Sequence, residues 1–531
     1  MTPNMLGPMM ALVVTAALTG CATAPSQPSD ARSAARSAAP SAAPSAVAVM
    51  QAQDAYFKAA AARIANGEAP QRARNVIVFV GDGMGVSTVT AARIHAGQVL
   101  GKDGESHSLA MDSFPHTALS RTYSHDYQTS DSAATATAMF SGVKTRSGVV
   151  GLTSGATTGV CTGSAAYAAT SLFDIAETKG LATGIVSTAR ITHATPAAAY
   201  ARSANRNWEA DVDVPAVEAG PPCVDIARQL VEWQSGDGFE VVLGGGRSNF
   251  MPSTAPDPEK ASERGRRGDG RDLTEAWKAR SPQHAYVWNS AGFNAINFAS
   301  DAKVLGLFNA SHMAFELDRA NDPGGEPSLA EMTRAAITRL SRNEQGYVLM
   351  VEGGRIDHAH HDGRAAQALA DTVAFDAAVK AALDATQRQD TLIIVTADHS
   401  HAFAMAGYSV RNAPILGLSS GASGPVRASD GLPYTTLGYL NGPGSVYATQ
   451  PNPSSTPPAP SAPLRRPDLT NVDTTHPQFR QPSLVPLGSE THAGEDVAIY
   501  AWGPGDSQFA GTLEQNVIFH AAAKSLGWKP E

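Results

Sequence analysis

The chain has 531 residues, of which 43% are hydrophobic, so it can bury the core of one large α/β domain or two smaller ones. Its formal net charge of −9 and the lack of a long basic run argue against a nucleic-acid partner, because a phosphate backbone demands clustered Lys and Arg. The densest basic stretch, residues 264–267, lies among glycines and predicts a solvated loop.

The first 50 residues predict an export signal and a tether. The apolar run at residues 9–19 is too short to span a bilayer, which is typical of a signal peptide. The run LTGC, ending at Cys21, resembles the lipobox of bacterial lipoproteins, whose cysteine is acylated after cleavage. We therefore expect a signal and acylation site at residues 1–21 and an Ala/Ser/Pro-rich tether at residues 22–50. The protein would then be exported, periplasmic or at the cell surface, and anchored to a membrane by lipid.

The cysteines support the same compartment. Only Cys21, Cys161 and Cys223 occur. If Cys21 carries lipid, two thiols remain, and an oxidising compartment favours their pairing. We therefore expect a disulfide between Cys161 and Cys223.

Several apolar, β-rich runs end in Gly, Asp, Glu or Thr and are followed by turn or helical sequence. They occupy residues 75–80, 182–188, 240–243, 347–351 and 391–396, and a further strand follows at residues 496–501. Helical patterns such as that of residues 365–387 separate them. This alternation predicts an α/β fold with a central, mostly parallel sheet covered by helices on both faces. Functional sites in such sheets lie beyond the carboxyl ends of the strands.

Residues 411–487 interrupt this pattern with Gly, Pro and Ser, including a Pro-rich run at residues 451–463. We predict an insertion with little regular structure near the C-terminal third of a domain that spans residues 51–531.

Carboxylates and imidazoles gather at the predicted strand ends. Asp82 follows the first strand in a Gly-rich turn without GxGxxG spacing, and alone it would be a turn aspartate. In EGGRIDHAHH, Asp357 and His361 lie four residues apart, which places them on one face of a helical turn at metal-binding spacing. The candidate ligands found in this way are Asp82, Glu352, Asp357, His361, Asp398, His399 and His492. His360 and His401 fit a core position equally well.

This ligand set predicts catalytic metal ions. Carboxylates and imidazoles without thiolates suit zinc in a catalytic site, because open coordination positions leave room for a substrate. Seven ligands are too many for one tetrahedral ion, so we expect two or three ions. Two ions about 4 Å apart can hold the attacking and leaving oxygens of a phosphoryl displacement.

A serine beside this ligand set is a candidate nucleophile. The run QTSDSAATATAMFSG, residues 128–142, predicts a helix start capped by Ser130 or Asp131. Ser132 then lies where backbone N–H groups and the helix dipole favour an anion. In isolation it would be a plain capping serine, but a neighbouring zinc ion would promote its deprotonation.

Together these residues resemble the alkaline phosphatase family, from about residue 74 to residue 526, through separated motifs in the family order. The run DSA at residues 131–133 matches the nucleophile motif, which implies a phosphoserine intermediate at Ser132. The run NRNW at residues 205–208 matches the segment in which Arg206 would grip two phosphate oxygens, as a planar guanidinium can. The resemblance implies hydrolysis of a broad range of phosphate monoesters by a homodimer, with residues 411–487 near its interface.

The same resemblance implies two zinc ions and one magnesium ion. One zinc would be held by Asp357, His361 and His492. The second, next to Ser132, would be held by Asp82, Asp398 and His399. The third ion, usually magnesium, would be held by Asp82, Thr195 and Glu352.

Two positions beside the third site differ from the best-known enterobacterial type of the family. His193 and His358 stand where that type has an aspartate and a lysine, and they match animal-like members. Cys161 and Cys223 also lie near positions that are bridged in animal-like members.

Three other functions remain as alternatives. A sulfatase requires a Cys/Ser-x-Pro-x-Arg site, which SAATA at residues 132–136 lacks. A phosphodiesterase has less need of a bidentate arginine for a dianionic phosphate. A lipid-anchored phosphate-binding protein without catalysis has no need of an ionised serine next to zinc.

Overall fold

The protein is described by a computed structural model over residues 46–65, 71–218, 223–445 and 466–529. The signal segment and Cys21 lie outside the described residues. Residues 46–50 of the predicted tether lie in the first helix. The helices are α1 (Ala46–Gln53), α2 (Ala55–Ala65), α3 (Val86–Val99), α4 (Ser132–Ser141), α5 (Leu172–Thr178), α6 (Ala194–Ala197), α7 (Ile226–Val231), α8 (Leu273–Lys278), α9 (Ser290–Ala295), α10 (Leu329–Leu340), α11 (Arg355–His361), α12 (Ala365–Ala385) and α13 (Val517–Ser525).

The strands divide into one large sheet and several small ones. They are β1 (Asn75–Gly81), β2 (His116–Arg121), β3 (Ala182–Arg190), β4 (Val241–Gly245), β5 (His284–Val287), β6 (Lys303–Leu307), β7 (Tyr347–Gly353), β8 (Thr391–Ala397), β9 (Ser400–His401), β10 (Phe403–Met405), β11 (Ser420–Gly421), β12 (Gly424–Pro425), β13 (Leu437–Gly442), β14 (Ser483–Pro486), β15 (His492–Ala493), β16 (Val497–Trp502) and β17 (Gly511–Glu514).

The large sheet has ten strands in the order β17-β2-β16-β8-β1-β7-β3-β4-β6-β5. Strand β16 pairs antiparallel with both of its neighbours, and the other pairings in the sheet are parallel. The central strands β1, β7 and β8 are buried along their whole length. Strands buried on both faces are typical of a parallel sheet covered on both sides, so the predicted α/β fold is confirmed.

Alternate residues of the central strands belong to two separate hydrophobic cores. Val78 and Met350 belong to a cluster that includes residues of α4, α5 and α13, whereas Phe79 and Val351 belong to a cluster that includes residues of α10 and α12. This follows from the period of two in a strand, which sends neighbouring side chains to opposite faces. The two cores hold the carboxyl ends of β1, β7 and β8 in register.

The predicted insertion, for which we expected little regular structure, carries a few short strands. Strands β10, β13 and β14 form a three-stranded sheet, and β11 pairs with β12. Several large apolar side chains are exposed within the insertion and in the residues just before it: Met405, Tyr408, Val410, Leu440, Val472, Leu484, Val485 and Leu487. The insertion therefore presents apolar side chains to solvent in the single chain.

Two further sequence predictions meet the structure in this fold. A disulfide joins Cys161 and Cys223, with a Cα–Cα distance of 5.8 Å, as predicted. The prediction of a solvated loop at residues 264–267 is wrong for Arg267, because this side chain is fully buried and pairs with Asp225 and Asp269. Across the described ranges, the structure contains no helix with both the length and the apolarity to cross a bilayer.

Candidate metal centre and nucleophile

The predicted site residues converge at the carboxyl edge of the central sheet. Asp82 directly follows β1, Glu352 lies near the end of β7, and Asp398 with His399 directly follows β8. These three strands are neighbours in the sheet, so side chains far apart in sequence meet at one edge.

The first cluster comprises Asp357, His361 and His492. The Nε2 atoms of His361 and His492 lie 3.3 and 3.4 Å from Oδ1 of Asp357, and they lie 3.2 Å from each other. Ligand atoms about 2.0–2.2 Å from a tetrahedral zinc ion lie about 3.3–3.6 Å apart. These three atoms therefore fit three corners of a zinc tetrahedron and leave the fourth open.

The outer nitrogens of the two histidines are held by backbone groups. Nδ1 of His361 contacts the carbonyl oxygen of Glu490, and Nδ1 of His492 contacts that of Ser130 at 2.8 Å. Such contacts orient an imidazole so that Nε2 carries the lone pair toward a metal. His492 itself lies on β15, which pairs with β9 and so joins the C-terminal part of the chain to the segment after β8.

The second cluster comprises Asp82, Asp398 and His399, all fully buried. Nε2 of His399 lies 3.5 Å from Oδ1 of Asp82 and 3.3 Å from Oδ2 of Asp398. The other oxygen of Asp398 accepts from the backbone N–H of Gly83 at 3.0 Å. The two distances from His399 again match the separations of ligands around one tetrahedral ion.

Ser132 lies against the second cluster as the first residue of α4. Its Oγ is 3.1 Å from Nε2 of His399 and 3.4 Å from Oδ1 of Asp82. Of the two predicted caps, Asp131 is the one that caps α4, because its side chain accepts from the N–H of Ala134. The serine hydroxyl therefore meets the cluster at the positive end of a helix.

A third group, formed by Asp82, Thr195 and Glu352, contains buried polar atoms without hydrogen-bond partners. Oδ2 of Asp82, Oγ1 of Thr195 and Oε1 of Glu352 are buried and lack a hydrogen-bond partner. The other oxygen of Glu352 accepts from Ser187 Oγ, which fixes the carboxylate. Buried polar atoms without partners are costly, and three oxygen donors of this kind fit a hard cation such as magnesium.

The charges of the site also fit bound cations. Burial and mutual repulsion of the carboxylates raise the pKa of Asp82 well above its usual value, raise that of Glu352 to about 8, and raise that of Asp398. Burial holds the pKa of His399 far below its usual value, so this imidazole is neutral and can offer a lone pair. A divalent cation would relieve the repulsion among these carboxylates.

Arg206 faces the nucleophile from a loop after α6. Its NH1 donates to Oδ2 of Asp131 at 3.0 Å, and its NH2 contacts Nε2 of His193 at 3.0 Å. Asp131 also accepts from the backbone N–H of Gly148 at 3.0 Å. One acid therefore both caps the helix that carries Ser132 and anchors the arginine.

Two histidines that the sequence left open have different roles. His401 lies between two carboxylates, with Nε2 at 2.8 Å from Oδ1 of Asp357 and Nδ1 against Oε2 of Glu490. His360 instead contacts Thr88 and Tyr439 within the core. In ADHSH, the closeness of His401 to Asp398 and His399 in sequence was the signal that could have placed it at the site.

His193 and His358 lie together beside the third group, with ring centroids 5.5 Å apart. The structure adds a residue that sequence reasoning missed, His312, whose ring lies 4.0 Å from that of His358. His312 follows β6, so its position just past a parallel strand was the available signal.

Comparisons with known proteins match the chain to one family. A sequence profile described as alkaline phosphatase matches residues 73–528. The chain is 45% identical over 460 residues to the tissue-nonspecific isozyme of alkaline phosphatase from Gallus gallus, which covers 85% of this chain and 84% of that protein.

Two solved structures share the fold. Alkaline phosphatase from Thermus thermophilus aligns with a TM-score of 0.60 at 26% identity, covering 86% of this chain and 92% of that one. A histidine-to-aspartate variant of the TAB5 alkaline phosphatase, with Mg bound in its M3 site, aligns with a TM-score of 0.58 at 23% identity, covering 86% and 99%.

Proposed function

The chain belongs to the alkaline phosphatase family, and from that premise we propose that it hydrolyses phosphate monoesters through a phosphoserine intermediate formed on Ser132. Metal-dependent hydrolysis of phosphate monoesters is the activity of the family. The observation that carries the proposed intermediate is the position of Ser132 Oγ, 3.1 Å from Nε2 of His399 at the N-terminus of α4.

Ser132 performs the first half of the reaction. Its oxygen attacks phosphorus, a bond forms between Oγ and phosphorus, and the bond from phosphorus to the ester oxygen breaks, so that the alcohol leaves with the proton that the serine hydroxyl gives up. The backbone N–H groups of the first turn of α4 stabilise the charge on the phosphate. In the second half, water attacks the phosphoserine, inorganic phosphate leaves, and the hydroxyl of Ser132 is restored.

Arg206 orients the phosphate. Asp131 and His193 each occupy one N–H of its guanidinium, which leaves further N–H groups for two phosphate oxygens. A site that holds only the phosphate group places few demands on the alcohol portion. We therefore expect a broad range of phosphate monoesters as substrates.

We assign three metal ions to the clusters. Asp357, His361 and His492 would hold one zinc, and Asp82, Asp398 and His399 the second. Asp82, Thr195 and Glu352 would hold magnesium, an assignment supported by their unsatisfied oxygens and by the Mg-bound TAB5 relative. When bound, such ions supply Lewis-acid chemistry: they neutralise phosphate oxygens and ease the loss of a proton from a hydroxyl.

The first experiment measures phosphate release from an aryl phosphate monoester at alkaline pH. We expect a chelator to abolish turnover and zinc plus magnesium to restore it. No turnover from fully metal-loaded protein would contradict the proposed function and favour a phosphodiesterase or a phosphate-binding protein.

The nucleophile is tested by Ser132→Ala. Turnover should fall by several orders of magnitude while inorganic phosphate still binds, because the metal ligands and Arg206 are retained. Ser141→Ala is the matched control, since Ser141 is equally buried at the other end of α4. Turnover that survives in the Ser132 variant would show that another group attacks phosphorus.

We further propose a homodimer that buries the exposed apolar side chains of the insertion, such as Leu440 and Leu484. We also propose export and lipid attachment through Cys21, which the Cys161–Cys223 disulfide supports because such bonds persist in oxidising compartments. Sedimentation and mass spectrometry of the membrane-extracted protein test the two proposals. A monomer in solution would contradict the proposed homodimer. An unmodified N-terminal segment would contradict the proposed lipid attachment.

A further inference from the structure

The segment that carries Arg206 packs on a hydrophobic cluster of its own. Ala204 and Trp208, on either side of the arginine, are buried but belong to neither of the two large hydrophobic cores. They pack instead in a smaller cluster, here called the satellite core, which is formed by Val149, Leu152, Ala156, Cys161, Ala204, Trp208 and Val214. Small clusters of this kind occur under long loops. The backbone of the arginine is therefore supported by this small core.

The sequence explains why this part of the chain needs a separate core. The stretch GVVGLTSGATTGVCTG, residues 148–163, is rich in Gly and Thr and lacks the apolar periodicity of a helix or a strand. The structure describes all of these residues and forms only isolated β-bridges among them, with no helix and no longer strand. Val149 and Leu152 are nevertheless almost fully buried. They find their apolar partners around Trp208.

One residue of this loop holds Arg206 at both ends. The carbonyl oxygen of Gly148 accepts from the backbone N–H of Arg206 at 2.8 Å, and the N–H of Gly148 donates to Oδ1 of Asp131 at 3.0 Å. The other oxygen of Asp131 accepts from NH1 of the arginine. A further backbone bond joins the same two segments, from the N–H of Gly159 to the carbonyl oxygen of Ala204 at 2.8 Å. A shift of the loop would therefore move both the arginine and the acid that orients it.

The loop is tied down at its far end as well. Cys161, a member of the satellite core, is bonded to Cys223, and its backbone N–H donates to Oε2 of Glu218 at 2.9 Å. Beyond Cys223, the N–H of Ile226 donates to the carbonyl oxygen of Trp208 at 2.9 Å. The chain segments that enclose Trp208 are therefore joined to one another.

We propose that Leu152 and Trp208 are positioning residues for Arg206, which set the affinity for phosphate through the satellite core rather than by contact with phosphate. This inference rests on the proposed function, in which Arg206 binds two phosphate oxygens. Hydrogen bonds weaken steeply when donor and acceptor are misaligned. Asp131 and His193 still hold the guanidinium when the backbone shifts. We therefore expect a disturbed satellite core to cost one of the two bonds to phosphate rather than both.

The test compares the binding of inorganic phosphate by Leu152→Ala and by Leu340→Ala. Both variants truncate a leucine that is almost fully buried, but Leu340 lies on α10 in one of the two large cores. The inhibition constant of phosphate is measured with metal-loaded protein well below the melting temperature, because this constant does not depend on the fraction of protein that is folded. We expect it to rise about tenfold in Leu152→Ala, as for the loss of one hydrogen bond to a charged group, and by less than about twofold in Leu340→Ala.

A double-mutant cycle tests whether the effect passes through the arginine. In the Arg206→Ala background, Leu152→Ala should cause little further loss of phosphate affinity, because the side chain that it displaces is already absent. A further loss as large as that in the unaltered protein would show that Leu152 acts by another route, and it would overturn the proposal.

Two other results would also overturn the proposal: an unchanged inhibition constant in Leu152→Ala, or an equal rise in Leu152→Ala and Leu340→Ala. If Leu152→Ala does not fold, Trp208→Phe takes its place in the same comparison, since it keeps an aromatic ring but leaves part of the space in the satellite core unfilled. Calorimetric titration of phosphate into metal-loaded protein requires no turnover. An inactive protein would therefore contradict the proposed function, while the titration would still decide the role of the satellite core.

Discussion

Replacing Arg206 by Ala should weaken the binding of phosphate by about two orders of magnitude. A hydrogen bond to a charged group contributes about 1.5–3 kcal/mol, so two bonds to phosphate oxygens contribute about 3–6 kcal/mol. The side chain of Arg206 is 19% exposed, so water replaces part of this interaction and the lower value applies. Since about 1.4 kcal/mol is a factor of ten, about 3 kcal/mol corresponds to about 150-fold.

Asp131, which holds Arg206 in place, adds a second reason for the loss of phosphate affinity. Burial would raise the pKa of Asp131, but Arg206 and the N–H of Gly148 hold it below its usual value. Without the arginine, an ionised Asp131 beside the site would repel phosphate at alkaline pH. Arg206→Lys keeps a positive charge without the planar fork, so its loss of affinity should be smaller than that of Arg206→Ala.

The assay is the inhibition constant of inorganic phosphate, measured with metal-loaded protein at fixed pH and salt. Arg228→Ala serves as the control, because Arg228 forms an exposed pair with Glu232 on α7, and such pairs contribute little. We expect the control to match the unaltered protein. An inhibition constant in Arg206→Ala within a factor of about two of the unaltered value would refute the role given to this arginine.

Two further predictions concern stability. Replacing Cys161 and Cys223 by Ser opens a bridge across a sequence separation of 62, which should lower the free energy of unfolding by about 4 kcal/mol and lower the melting temperature; an unchanged melting temperature would contradict this. In chelated protein, burial lowers the pKa of His401, but hydrogen bonds to Asp357 and Glu490 outweigh it and raise the pKa to about 9. The stabilisation by protonated His401 is complete below its unfolded pKa of about 6.5 and is lost as pH rises through about 9. In urea unfolding, the stability difference between the unaltered protein and His401→Gln should therefore be larger at pH 6 than at pH 10. An equal difference at the two pH values would argue against a charged His401.

The central fold could be predicted because its signal is local. The apolar runs at residues 75–80, 347–351 and 391–396 became β1, β7 and β8, since a strand buried on both faces is apolar throughout. Strands β17 and β2, the edge strand and its neighbour at one end of the sheet, carry mixed sequence and escaped notice. The antiparallel direction of β16 depends on its partners, which no local pattern reveals.

The convergence of the candidate ligands could be predicted where they follow long strands, and could not be predicted where it depends on distant contacts. Asp82 and Asp398 stand directly after buried strands, so their meeting follows from the sheet. The sequence signals for His312 and His401 were weak, because His312 lies in a loop beyond the end of β6 and His401 lies on a strand of only two residues. Arg267 was misjudged for the same reason, because its partner Asp225 lies far away in sequence.

The short pairing of β15 with β9 has a consequence for the newly made protein. It brings His492 to proposed ligands that begin at Asp82, far earlier in the chain. On the proposed assignment, a nascent polypeptide lacks a complete metal cluster until β15 has been synthesised and has paired with β9. A chain truncated before β15 would then lack phosphatase activity even if its first half folded.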